Sequence, residues 1–199
     1  MNEFKRANRQ IQLFIESGLS LEDGISKIRY DLPRVFRFDD IARFSRQAMR
    51  GCYEEFEAWL NSLMLTEAPP EGVCALNFGL FTVSGVVNLY VSGSRSWKID
   101  DPDWACDRFY LPDSSLQPAL YQDISTVISE YNGTGLYLSI TILAMMIREY
   151  TERGMISLLD IKRKVLYLAC GYDEGDLYNV GRLTDQGLQA PKSRLSLFG

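Results

Sequence analysis

Residues 76–91 read LNFGLFTVSGVVNLYV, and their hydrophobic side chains alternate with polar or small ones on either side of a central break. A period of two is typical of a β-strand with one buried face. Ser84 and Gly85, at the break, suit a two-residue hairpin turn. That turn places Leu80 opposite Leu89 on the same face, so the turn and the hydrophobic pattern predict the same strand register.

The chain on either side of this hairpin has different periodicities. Residues 1–67 have the period of amphipathic helices, and the sequence APPEG at 68–72 separates them from the α+β part over 73–189. Helical patterns recur between residues 124 and 153. Residues 157–170 fit either a helix that begins at a capping box or a strand, and we favour a strand over the apolar residues 165–170.

We therefore predict one α+β domain over residues 1–199, with a loose tail at 190–199. Its centre is an antiparallel sheet that contains the 75–92 hairpin and further strands, and C-terminal helices pack on this sheet. A chain of this length can bury a large core without needing a disulfide or a metal.

Single residues predict several helix boundaries in the N-terminal part. Gly18 is expected to end the first helix, and Pro33 to lie just beyond the end of the second. Asp39 or Asp40 is expected to cap a third helix, which Gly51 could divide in two.

The chain is acidic overall, and its charge is unevenly distributed. It carries 21 Lys/Arg and 26 Asp/Glu, a net charge of −5. Residues 1–50 have a net charge of +3 and the remainder −8, so the two parts could attract each other, or the acidic part could meet a basic partner. Nucleic acid is disfavoured as a partner because an acidic surface repels it.

The sequence contains no histidine. This excludes Ser-His-Asp and Cys-His catalytic groups, zinc held by histidine, and acid–base chemistry by imidazole. Carboxylates, lysine, tyrosine and cysteine remain available, so enzymatic activity is disfavoured rather than excluded. We expect a protein without catalytic residues, metal or cofactor.

The cysteines and the apolar segments predict a cytoplasmic protein without a membrane span. Cys52, Cys74, Cys106 and Cys170 lack the spacing of a metal clip or a redox pair, so we expect them to be reduced. The longest apolar run, at 136–147, is too short to cross a bilayer, and no apolar signal core follows the charged N-terminus.

Residues 97–107 form the densest group of side chains that could bind a partner. Tryptophan offers a large rigid contact area, and aspartate a negative potential that suits a basic protein. The partner-binding candidates in this segment are Trp97, Asp100, Asp101, Asp103 and Trp104. Two alternatives remain open: a divalent cation site, although an EF-hand spacing is absent, or a turn whose tryptophans anchor it to the core.

A second acidic segment supplies Asp173, Glu174 and Asp176 as further partner-binding candidates. It follows the candidate strand at 165–170, so it could meet the first acidic segment at one edge of a sheet. The alternative is a polar turn.

Two other patterns have weaker functional interpretations. Arg43, Arg46 and Arg50 lie on one face of a helix and could bind phosphates, but a solvated helix face is favoured. The glycines of the NGTG sequence at 132–135 do not match a dinucleotide-binding fingerprint, so they are interpreted as helix punctuation.

Three segments resemble a group of small bacterial proteins found among the immunity proteins of polymorphic and contact-delivered toxin systems. These segments are Leu89–Ser94 (LYVSGS), 101–106 (DPDWAC), and 175–177 (GDL) leading to Val180-Gly181. The resemblance covers about half of the chain. It implies a cytoplasmic, non-enzymatic inhibitor that binds one cognate toxin tightly.

Other functions remain open beside this one. They are a small carboxylate-based metal- or ligand-binding domain or enzyme, and a structural or adaptor subunit. The sequence does not identify the partner or the oligomeric state.

Overall fold

The computed structural model describes residues 2–98, 102–130, 132–154, 158–159 and 164–191. The α-helices are α1 Glu3–Ser17, α2 Leu21–Val35, α3 Arg46–Thr66, α4 Leu120–Glu130 and α5 Asn132–Arg153. The strands are β1 Ala75–Val83, β2 Val86–Ser94, β3 Val165–Tyr172, β4 Leu177–Thr184 and β5 Gly187–Gln189, and a short 3-10 helix covers Pro102–Cys106. The α+β class predicted from the sequence is confirmed.

The hairpin of β1 and β2 has the predicted register. Leu80 pairs with Leu89, and the turn consists of Ser84 and Gly85. Both turn residues have positive φ, 51° and 79°, as the tight turns that match the twist of a hairpin require. One side of the hairpin is buried in the main core, through residues that include Leu76, Phe78, Leu80, Leu89 and Val91.

The sheet is mixed rather than antiparallel as predicted. Its strand order is β2-β1-β3-β4-β5, and β1 pairs in parallel with β3, with Ala75 opposite Tyr167 and Leu80 opposite Tyr172. Parallel pairing needs a long crossover connection, and the chain between β1 and β3 contains β2, α4 and α5. The predicted strand at 165–170 is therefore the third strand of the sheet, in a central position.

The helices cover one face of the sheet. α5 contacts α1, α2, α3 and α4 as well as β3 and β4, and α4 also packs on β2. One continuous buried core contains side chains from the N-terminal helices, the sheet and α5. The helices predicted between residues 124 and 153 are not C-terminal, because β3, β4 and β5 follow them in the chain. Among the described residues, no helix follows α5.

Two predicted helix boundaries are wrong. α3 begins at Arg46, and Ser45 caps it by accepting a hydrogen bond from the amide of Ala48 (3.1 Å), so neither Asp39 nor Asp40 is its cap. α2 continues through Pro33 to Val35, although proline cannot donate a helical hydrogen bond and its ring crowds the preceding turn.

Gly51 lies inside an unbroken α3, where a single glycine only weakens the helix. Gly18 caps α1 as expected.

Asp31 is a charged residue in the helical core, only 1% exposed. Both carboxylate oxygens accept hydrogen bonds from the ammonium group of Lys27, at 2.7 and 2.6 Å. The buried hydroxyl of Tyr137, on α5, donates to one of the same oxygens at 2.6 Å. The network therefore joins α2 to α5 at a point where unpaired polar groups would be costly.

Some predictions fall on residues that the structure does not describe. These are the capping box at 157–160 and most of the tail at 190–199. No helix in the described part of the chain combines the length and the apolar character that a membrane crossing requires.

Candidate binding site

The segment after β2 covers the sheet face opposite the helices, and two tryptophans hold it there. Trp97 stacks on Tyr167 of β3, with ring centroids 3.7 Å apart and planes within 4°. Trp104, 6% exposed, packs with Ala75 of β1 and Ala169 of β3. Large aromatic surfaces removed from water stabilise such contacts, so both indoles anchor the segment to the sheet.

The partner-binding candidates of the first acidic segment differ in how exposed their side chains are. Trp104, a partner-binding candidate in the sequence, is buried and holds the segment on the sheet instead of offering its ring to a partner. Trp97 is half-buried and Asp103 is exposed. Asp100 and Asp101 lie outside the described residues.

The second acidic segment forms the turn between β3 and β4. The amide of Asp173 donates to the carbonyl of Leu80 (3.0 Å), which places the turn beside the carboxyl end of β1. The amide of Gly175 donates to the carbonyl of Tyr172 (3.0 Å) and closes the turn. Asp173, Glu174 and Asp176 are all exposed there, so their charges face solvent.

Asp107 of the first acidic segment and Asp173 of the second lie near opposite ends of β1, so these two carboxylates do not meet at one edge of the sheet as predicted. Asp107, in the first, accepts a hydrogen bond from Ser94, which pairs with Ala75 at the amino end of β1. Asp173 contacts Leu80, five residues further along, a distance of about 17 Å at the usual rise of a strand. Arg108, the residue after Asp107, nevertheless reaches Asp173, so a cation lies between these two carboxylates.

Asp173 is held by side chains of the sheet face opposite the helices and of the segment that covers it. The hydroxyl of Tyr90 donates a short hydrogen bond to Asp173, and the guanidinium of Arg108 lies 3.9 Å from the same carboxylate. The ring of Tyr90 crosses Gly79, where any Cβ would collide with it. Burial, with a contribution from Asp173, raises the pKa of Tyr90 well above its usual range, so the hydroxyl stays a donor at neutral pH.

Asp176 links the turn to the first helix. Its carboxylate accepts a hydrogen bond from the amide nitrogen of Asn8 on α1 (2.7 Å). The amide oxygen of Asn8 accepts another from the hydroxyl of Tyr178 on β4 (2.7 Å). Glu174, between these two anchored carboxylates, has no hydrogen bond or ion pair with any described residue.

An open pocket of about 630 Å³ lies between this turn, α1 and the start of α5. This volume is within the range of sites that bind small molecules or long side chains. Its position outside the carboxyl ends of the parallel strands β1 and β3 is where open sheets commonly bind ligands. Besides the three carboxylates, its lining includes four aromatic residues, Phe4, Phe81, Tyr172 and Tyr178.

The hydroxyl of Tyr172 is a buried polar atom in the pocket wall. It lies near Ser139 but makes no well-aligned hydrogen bond. Burial raises the pKa of Tyr172 to about 12, so the group is protonated at neutral pH and can accept as well as donate.

The pocket residues outside the acidic turn could not be found in the sequence. Asn8, Leu80 and Leu136 come from three distant elements, and each carries only the signal of an ordinary helix or strand position. The parallel pairing of β1 with β3 places Leu80 beside the acidic turn, and the packing of α1 and α5 brings Asn8 and Leu136 to it.

The structure bears on two alternatives raised by the sequence. Among the described residues, no group of three or more acidic or cysteine side chains has the arrangement of a metal site. The three arginines do not share one helix face as predicted, because Arg43 precedes α3 and pairs with Asp40 (2.8 Å), whereas Arg50 of α3 forms an ion pair with Glu22 of α2.

The glycines of the 132–135 sequence serve helix packing. A Cβ on Gly133 would meet Glu3 of α1, and a Cβ on Gly135 would meet the backbone of Ile128 on α4.

We expect the cysteines to differ sharply in their reaction with Ellman's reagent near neutral pH. Cys106 is exposed and should react first. Cys52 and Cys170 are buried, and burial raises the pKa of Cys52 to about 12 and that of Cys170 well above its usual range. Because the thiolate is the reactive form, these two should react only after unfolding. Rapid modification of Cys52 in the folded protein would contradict the packing of α3 against α5.

No protein-family model matches this chain, and no curated protein and no solved structure is significantly similar to it.

Proposed function

We propose that this protein is a non-catalytic, cytoplasmic protein-binding protein, an immunity protein or inhibitor that occludes a cognate toxin of basic character. The observation that supports this most directly is the exposed group of Asp173, Glu174 and Asp176 beside a pocket with aromatic walls. Exposed carboxylates next to aromatic surface suit a basic protein partner. The resemblance to immunity proteins, which includes Gly175-Asp176-Leu177, supports the same function.

The proposed mechanism is steric and electrostatic. The carboxylates of Asp173, Glu174 and Asp176, here called the acidic edge, accelerate the encounter with a basic partner. The pocket beside the acidic edge fixes the orientation of the complex. Trp97 and Trp104 act indirectly, because they hold the covering segment and its exposed Asp103 on the sheet. The inhibitor blocks its partner by covering it, so no reacting group is required of this chain.

Reversing the charge of Glu174 tests the proposal. Glu174→Lys should abolish capture of a basic partner by the immobilised protein, because it places a cation at the centre of the acidic edge. Glu54→Lys is the matched control, since Glu54 is exposed on α3, away from the pocket, and likewise has no hydrogen bond or ion pair with a described residue. Capture is measured from cell lysate and with the purified product of the neighbouring gene, by mass spectrometry at several salt concentrations.

The outcomes separate the hypotheses. Stoichiometric capture of one basic protein by the native chain and by Glu54→Lys, but not by Glu174→Lys, supports the proposal. Equal capture by both variants would show that the acidic edge is not part of the interface with the partner. Capture of no protein at any salt concentration would reject the protein-binding function.

The volume of the pocket favours ligand binding as a second candidate function. Native mass spectrometry of the purified chain distinguishes this candidate, because a retained small molecule adds a discrete mass that Glu174→Lys should remove.

A further inference from the structure

The pocket between the 173–176 turn, α1 and α5 has two chemically different parts. Leu80, Leu136 and Phe4 form an apolar part, and Phe4 is 47% exposed although it is aromatic. The carboxylates of the 173–176 turn form the polar part at the mouth. A group that fills both parts needs an apolar stem and a polar end, which is the construction of a long cationic side chain.

The charges at the mouth decide the sign of that polar end. α1 and α5 both begin near the pocket, and each helix start contributes about half a positive charge. Three full negative charges, with Arg108 as the one cation that an ion pair joins to them within the described residues, outweigh these two helix ends. The pocket therefore attracts a cation and repels an anion.

Of the three carboxylates at the mouth of the pocket, one is available to accept hydrogen bonds from a ligand. Asp173 already accepts from Tyr90, and Asp176 from Asn8, while Glu174 has no partner among the described residues. The hydroxyl of Tyr172 is buried in the wall beside Ser139, so it does not serve as an acceptor for an incoming group. Glu174 is therefore the acceptor that an incoming group with N–H donors can reach.

The aromatic walls favour guanidinium over ammonium. A guanidinium group is planar, presents five N–H donors and stacks on aromatic rings, whereas an ammonium group is compact and more strongly hydrated. Phe4 and Phe81 both lie at the pocket, and Glu174 can accept two parallel N–H bonds. We infer that the pocket receives one arginine side chain of the protein partner, an inference that rests on the proposed function and identifies the group that this site recognises.

A titration with small probes tests the pocket without the partner. N-acetyl-L-arginine methylamide should shift the amide NMR signals of residues 80–82 and 173–178, and the matching citrulline derivative, which is neutral, should not. The lysine derivative should bind more weakly than the arginine derivative. Glu174→Gln should weaken arginine binding about two- to fivefold, the range of an exposed ion pair.

A substitution at Thr82 can place an arginine side chain of this protein in the pocket, where it competes with the arginine probe. Thr82 is exposed and lines the pocket near the end of β1, so an arginine at this position can occupy the site without disturbing the core. Thr82→Arg should abolish binding of the arginine probe, and Thr82→Gln, the uncharged control, should retain it. Equal binding of the citrulline derivative, tighter binding of the lysine derivative, or no shift at these residues would overturn the inference.

Partner capture with the same variants separates this inference from the proposed function. Loss of the partner with Thr82→Arg but not with Thr82→Gln supports both. Capture that persists with Thr82→Arg but fails with Glu174→Lys overturns the arginine pocket and leaves the acidic interface standing. Probe binding without capture of any partner would overturn the assignment to a partner's side chain and indicate a small guanidinium ligand.

Discussion

Replacing Asp31 by alanine should lower the free energy of unfolding by about 3 kcal/mol. The substitution removes the acceptor of both Lys27 and Tyr137 inside the core between α2 and α5. Lys27 is about one-third exposed and can turn to water, but the hydroxyl of Tyr137 stays buried without a partner. Burial raises the pKa of Tyr137 far above its usual range, so the group cannot avoid this cost by ionising at neutral pH.

Urea unfolding followed by circular dichroism measures this effect, with Asp31→Asn as the control. Asparagine keeps one carbonyl oxygen for Tyr137, although it loses the charge and replaces the second acceptor oxygen with an NH2 donor, so we expect a smaller loss of about 1–2 kcal/mol. A loss below about 1 kcal/mol for Asp31→Ala would show that water reaches the Tyr137 hydroxyl. Equal losses for the two variants would show that the carbonyl oxygen of asparagine does not replace the carboxylate as the partner of Tyr137.

Replacing Gly135 by alanine should destabilise the protein by about 2 kcal/mol or more, although alanine is the better helix former. A Cβ at Gly135 would lie 2.6 Å from the Cα of Ile128 and 2.8 Å from its backbone nitrogen. Backbone atoms cannot rotate away as a flexible side chain can, so α4 and α5 must separate. The separation opens the apolar interface between the two helices.

Gly51 provides the matched control, because it is also inside a helix but has no atom within 4 Å of the position of its missing Cβ. Gly51→Ala should stabilise the protein by about 0.5–1 kcal/mol through helix propensity alone. Thermal unfolding of both variants should therefore give shifts of opposite sign. A stabilising shift for Gly135→Ala would show that the contact between α4 and α5 is looser than the structure indicates.

The elements that depend on neighbouring residues could be predicted from the sequence. The register of the 75–92 hairpin follows from its turn and from the alternation of its side chains, which are local properties. The strand at 165–170 could be identified because its apolar residues form a short run of suitable length. Helix boundaries were less predictable, since Ser45 and Asp39 are both good caps and only tertiary packing selects between them.

The arrangement of these elements depends on distant contacts that no local pattern contains. The parallel pairing of Ala75 with Tyr167 joins residues that are far apart in the chain. The sequence of the hairpin alone does not indicate which strand pairs with the second edge of β1.

The same limit applies to the candidate site. The carboxylates of 173–176 could be identified from composition, but the aromatic wall that includes Phe4 could not. The role of Trp104 also needed the structure, because a tryptophan in an acidic segment has the same sequence pattern whether its ring is buried or exposed.

The position of β3 in the sheet has a consequence for how the chain folds. β1 and β2 can pair as soon as both have left the ribosome, since a two-residue turn closes at little entropic cost. β3 follows only after α4 and α5, so the inner edge of β1 has no strand partner during a large part of synthesis. An unpaired apolar edge is a template for association with other chains, and the nascent chain should therefore be most prone to aggregation just before residues 165–172 emerge.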